Sequence, residues 1–195
     1  MYRLFGLILL VSLAGCYVPL KWKAWRYDSD GLVTVPHWDL PFTDDSAARF
    51  TVGDMYVHAF LKAHDETTQG GGSPYQLIVV CYVPLGRASG VTFHSVEIVS
   101  SLDSRTWSRR PIEVDRRGEK IRSAGYPYTR EFVAISKTAA SASMRTDADL
   151  PLRPHLGESV TVRIAVSTGT SDGLVTYHFR PRLEEGHVGY IGPGD

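Results

Sequence analysis

Gly169-Thr170-Ser171-Asp172-Gly173 has the spacing of a nucleophile elbow, in which a strained turn from strand to helix lifts a serine above a sheet. Its flanks argue for a different structure. Thr161-Val162-Arg163-Ile164-Ala165-Val166 precedes it, and Leu174-Val175-Thr176-Tyr177-His178-Phe179 follows. Both are rich in strand formers, so the small residues between them predict the turn of an antiparallel hairpin. His178 then lies down a strand from Ser171, roughly 23 Å away at about 3.3 Å per residue, beyond reach as its base.

The histidines raise metal binding. His58 and His64 share a face if their segment is a strand, but stand about 20 Å apart. As a helix the same spacing gives about 9 Å along the axis, on different faces. A zinc ion needs each ligating nitrogen at about 2 Å, so neither geometry makes a site from this pair. The other histidines lack metal-ligand spacing, and no metal or cofactor is expected. Two clusters mix aromatic and cationic residues, Lys21-Trp22-Lys23-Ala24-Trp25-Arg26-Tyr27 and Arg105-Thr106-Trp107-Ser108-Arg109-Arg110. Trp and Arg are over-represented at binding hot spots, which makes Trp22, Trp25, Trp107 and Arg109 the candidate binding residues. The first cluster also suits a membrane interface, or a first strand with Leu20, Trp22 and Ala24 inward and Lys21 and Lys23 outward.

The elements that must position these residues read mainly as strands. Tyr75 to Val83 is apolar on both alternations, as in a packed sheet. Val91 to Val99, Ile112 to Val114 and Arg130 to Ile135 are further candidates. Met55 to His64 alternates strictly, with Met55, Val57, Ala59, Leu61 and Ala63 on one side, and is read as a strand. The helical alternative has Asp54 as its cap. Lys137 to Met144, rich in Ala and Ser, carries no clear signal. Pro and Gly punctuate the chain at short intervals, and no long segment has a helical apolar stripe. The fold expected is mainly β, a single antiparallel β-sandwich of immunoglobulin-like type.

The pentapeptide Cys-Tyr-Val-Pro-Leu occurs at residues 16–20 and again at 81–85, and these are the two cysteines of the chain. Cys81 sits in the apolar run and reads as a buried small hydrophobe. Cys16 follows a positive start at Arg3, an uncharged apolar run from Leu4 to Leu13, and the small residues Ala14 and Gly15. That is the pattern of a secretory signal, and the run is too short to span a membrane. Leu13-Ala14-Gly15-Cys16 resembles the lipobox of bacterial lipoproteins. The resemblance covers residues 1–16 and implies cleavage before Cys16 and acylation of that cysteine. Two or more acyl chains anchor a protein stably. By analogy with lipoprotein sorting, Tyr17 in place of aspartate favours the outer membrane, periplasmic face, over the inner membrane; the cell surface is a further location. A second short repeat, Ser-Asp-Gly-Leu-Val-Thr at 29–34 and 171–176, has a different offset. Tandem duplication would give one period, so both repeats are local turn-and-strand chemistry.

The expected organisation is a signal peptide at 1–15, a lipidated N-terminus that is tether or first strand at 16–27, and a β-sandwich domain at 28–195. With 43% hydrophobic and 22% charged residues the chain is globular. Its formal net charge of zero speaks against nucleic acid, whose binders are usually strongly basic. The function expected is a non-enzymatic interaction or assembly module, held to the membrane by its lipid and meeting an envelope protein partner. Its rivals are an envelope glycan or small-ligand binder, and a hydrolase whose site assembles in three dimensions.

Overall fold

β-Branched and aromatic runs become strands throughout the computed structural model, which describes residues 20–30, 50–63 and 74–188, with side chains described for 23–30, 50–63 and 74–185. The strands are β1 (Leu20–Ser29), β2 (Thr51–Val52), β3 (Met55–Ala63), β4 (Tyr75–Pro84), β5 (Gly90–Ser100), β6 (Thr106–Ser108) and β7 (Pro111–Val114). They continue as β8 (Lys120–Ser123), β9 (Tyr128–Glu131), β10 (Val133–Ala134), β11 (Ala139–Thr146), β12 (Val160–Ser167) and β13 (Asp172–Val188). No α-helix occurs among the described residues, and a short 3-10 turn spans Pro154–Leu156.

Two antiparallel sheets result. One has the order β1-β13-β12-β5-β6, with β9 also on β5; the other runs β2-β3-β4-β11-β7-β8, with β10 also on β11. Val57, Ala59 and Leu61 of β3, Leu77, Val79 and Cys81 of β4, and Ile98, Val162, Ile164, Val175, Tyr177 and Phe179 of the first sheet belong to a single buried cluster. The period of two along each strand puts these residues on one face. Burial drives the pairing of the two faces, because it removes apolar surface from water.

Met55–Ala63 is a strand, and the segment that carried no signal is resolved as β11. There Ala139, Ala140, Ala142 and Met144 are buried and the strand pairs along β4 from Ala139 opposite Pro84 to Arg145 opposite Ile78. Small side chains give β11 little strand preference of its own, and its neighbours impose it. The hairpin at Thr161–Val166 and Leu174–Phe179 is formed by β12 and β13.

β13 is the unusual strand. Residues 172–179 pair with β12, while residues 179–188 pair with β1, on the opposite edge. Among the described residues, β13 beyond Phe179 and β1 are therefore a two-stranded ribbon, about 30 Å long at 3.3 Å per residue. Ion pairs lace it: Lys23 with Glu185, Arg26 with Glu184, and Arg182 with Asp28. The Asp30 amide donates to the His178 carbonyl at 2.9 Å, so even-numbered β13 residues turn their backbone groups to β1 and odd-numbered ones turn away. Pro181 falls in the odd set, where its missing N–H removes no bond to β1. In the described part of the first strand Ala24 is buried and Lys23 exposed, as expected. Tyr27, on the odd-numbered face, adds a contact with the main core, edge-on to Tyr75 at 5.3 Å between ring centroids. The side chains of Leu20, Lys21 and Trp22 lie outside the described residues.

Cys81 is fully buried, and burial pushes its thiol well above the usual range. In a Cys16→Ser chain this single thiol should stay unreactive to Ellman's reagent for hours and react within seconds in denaturant. Prompt reaction of the folded chain would place Cys81 on the surface instead.

Candidate functional site

The sequence-derived candidates do not converge. Cys16 lies outside the described residues, as does the side chain of Trp22. Trp25 is on β1 and Trp107 on β6, the two outer strands of the five-strand path through one sheet, so they share no surface groove. Trp25 is half-buried, and its carbonyl accepts the Tyr75 hydroxyl at 3.0 Å. Trp107 stands opposite Ile98 and packs against the core. Arg109 follows on the same side, its backbone N–H donating to Val96 and its Nη1 donating to Asp149 at 3.3 Å. Its side chain is 18% exposed, and its Nε is buried without a partner. Alternation therefore turns Trp107 and Arg109 toward the body and leaves Thr106, Ser108 and Arg110 in solvent.

Ser171 belongs to the β12–β13 turn, where its N–H donates to Thr168 Oγ1 at 3.2 Å and its carbonyl accepts the Thr168 N–H at 2.7 Å. His178 sits down β13, its Nδ1 3.1 Å from Thr161 Oγ1. The two are not brought together. A different serine–histidine pair is: His94 Nε2 lies 2.7 Å from Ser167 Oγ on the exposed face of the first sheet. A β-bulge makes this contact. The register slips between Ala165 and Val166, so that His94 is the extra residue between the partners Phe93 and Ser95, and His94 and Ser95 both face solvent. The distance suits a base and its nucleophile. Among the described residues, though, no carboxylate hydrogen-bonds the other ring nitrogen, so nothing orients the imidazole as a triad requires. Sequence reasoning missed the pair because its members are 73 residues apart and the bulge has no sequence marker.

His58 lies between the rings of Tyr56 and Phe60, at 6.3 and 5.8 Å between centroids, and desolvation lowers its pKa. Its partner in the metal argument, His64, lies outside the described residues. Among the described residues no group of three or more His, Cys, Asp or Glu side chains is placed to hold a metal ion. No helix among them is long and apolar enough to cross a membrane.

The buried charge of the described residues is Glu158, with 0% exposure. Its carboxylate accepts the Ser100 hydroxyl and the backbone N–H of Arg153, which fastens the loop around the 3-10 turn to the end of β5. Tyr27 of the ribbon lies close by. Burial first, and then the Glu158 charge, push its hydroxyl far above the usual tyrosine range, and that hydroxyl has no hydrogen-bond partner. The arrangement holds the ribbon base, the loop and β5 together, and offers no open position for a substrate.

No protein-family model matches the chain, and no curated protein matches it. Among solved structures it is similar to Northeast Structural Genomics Consortium target SoR45, solved by X-ray crystallography, with 6% identity and a TM-score of 0.29 over 73% of this chain and 91% of that one. A likeness at that level assigns no role.

Removing a buried carboxylate that two donors depend on leaves both unsatisfied. Glu158→Ala should therefore cost about 2–4 kcal/mol, read from urea midpoints, and Ser100→Ala about 1–2 kcal/mol. A change below about 0.5 kcal/mol, the range of ordinary surface substitutions, would show that the cluster does not hold the loop.

Proposed function

We propose that the chain is an envelope lipoprotein, anchored through acylated Cys16 to the outer membrane with its body in the periplasm, and that it acts as a non-enzymatic interaction or assembly module. The observation that carries this reading is the ribbon. β1 begins four residues after Cys16, a span of at most about 14 Å, and ten successive pairs join it to β13. A lipid at Cys16 would thus be coupled to the body through a hydrogen-bonded ladder rather than a slack tether. The charged side chains that lace the ribbon suit an aqueous space beside a membrane.

The body is read as an immunoglobulin-like sandwich. The chain passes repeatedly between the two antiparallel sheets, which supports that finer description. Such folds host many functions, so the interaction role rests on what the described residues offer at the surface: strand edges that no described strand covers, and exposed cations. Arg110, next to the turned-in Trp107 and Arg109, belongs to that surface.

Fractionation of cells expressing the full chain tests the anchor. The native protein should sediment with the outer membrane, and Cys16→Ser should appear as soluble protein or unprocessed precursor. A processed Cys16→Ser form that stays in the membrane would overturn the proposal.

A further inference from the structure

The zero net charge conceals an uneven distribution. Residues 105–145 hold ten Arg and Lys against four Asp and Glu, a net +6 that the remainder of the chain balances with −6. Four of these cations are neutralised locally: Arg105 by Asp103, Arg109 by Asp149, Lys120 by Asp147 and Arg122 by Glu113. Arg130 lies 6.0 Å over the Tyr128 ring. Arg110, Arg116, Arg117, Lys137 and Arg145 make no ion pair with any described residue. Three of these gather at one turn. Arg116 and Arg117 project from the β7–β8 turn, and the Arg145 guanidinium lies against it, with Nη1 3.8 Å from where a Cβ on Gly118 would stand.

The turn is held in advance of any ligand. Asp115 Oδ1 accepts the backbone N–H groups of Arg117 at 2.8 Å and Glu119 at 2.9 Å. The Gly118 N–H donates to the Asp115 carbonyl at 3.1 Å, and Gly118 takes φ +84°, a left-handed conformation that glycine adopts without strain. Asp115 Oδ1 is thus committed to the backbone, and Asp115 and Glu119 are the turn's two exposed carboxylates beside Arg116, Arg117 and Arg145. Beside the turn, β8 exposes all four of its side chains, including Ile121 at 64%. It ends its sheet, so among the described residues its outer backbone groups face solvent.

We infer that the β7–β8 hairpin is a docking edge for an extended, carboxylate-rich segment of a partner protein. The inference rests on the interaction-module reading and specifies its partner. An open strand edge is extended by an incoming strand through backbone hydrogen bonds, with side chains setting specificity. Guanidinium groups pair with carboxylates through matched, paired N–H donors, and the exposed Ile121 adds an apolar contact. The membrane that would hold Cys16 fits less well as the anion. β8 lies at the far end of its sheet from β3, and β1, the strand next to Cys16, packs at the β3 side.

Purified Cys16→Ser chain should bind a short labelled peptide of alternating glutamate and valine, measured by fluorescence anisotropy, and affinity should fall steeply with added salt. The same peptide with lysine for glutamate should not bind. Arg116→Glu/Arg117→Glu and Arg145→Glu should each weaken binding roughly tenfold or more. Arg163→Glu, on the other sheet, should leave it unchanged. Amide shifts in the labelled chain should concentrate at residues 120–123. The inference is overturned if the acidic peptide fails to bind, if the turn variants bind it normally while circular dichroism shows them folded, or if phosphatidylglycerol vesicles or duplex DNA bind in its place. The assay uses unanchored protein, so its failure leaves the membrane anchor standing. A loss of membrane retention would in turn leave the peptide result untouched.

Discussion

The structure depends on one strand serving two partners. β13 gives one edge to β12 as far as Phe179 and then gives its other edge to β1. A strand can do this without a break because its backbone groups point alternately left and right. The first half contributes the core residues Val175, Tyr177 and Phe179. The described side chains of the second half, Arg180 to Glu185, add nothing to the buried cluster, and four of these six are charged. Without the first half the sheets lose their shared centre. Without the second, the N-terminal strand has nothing to pair with.

Three contacts fasten that junction. Phe50 stacks on Tyr177 with ring centroids 4.5 Å apart. The Tyr177 hydroxyl donates to the Val57 carbonyl on the opposite sheet. Glu158 ties the loop before β12 to β5, just where Tyr27 enters the core. Aromatic stacking, a buried hydrogen bond and a buried carboxylate therefore converge on the place where β13 changes partners. A buried carboxylate is retained only with donors to satisfy it, and Ser100 and the Arg153 amide supply them.

Much of this scaffold is legible from residue order, because strand alternation is a local property. Met55, Val57, Ala59 and Leu61 announce their face, and the residues around Ser171 announce a turn. β11 is not legible: alanine and serine become strand there because β4 and β7 pair with it. The extension of β13 is hidden by Pro181 and Gly186, residues that ordinarily discourage strands. Trp107 and Arg109 invite a reading as exposed anchors, whereas alternation along β6 and into the residue after it turns both inward. The His94–Ser167 contact, the Glu158 cluster and the position of Arg145 beside Gly118 arise from long-range pairing, for which a single sequence carries no local signal.

Amide hydrogen exchange measured residue by residue over 180–187 tests the ribbon most directly. Backbone alternation predicts that the N–H groups of Arg182 and Glu184, facing β1, are protected, while that of Leu183, on the edge that no described strand covers, exchanges at near solvent rates. Uniform protection would mean that another strand covers that edge. Uniform rapid exchange would mean that β1 does not pair with β13, and the coupling of the N-terminal segment to the body would be contradicted.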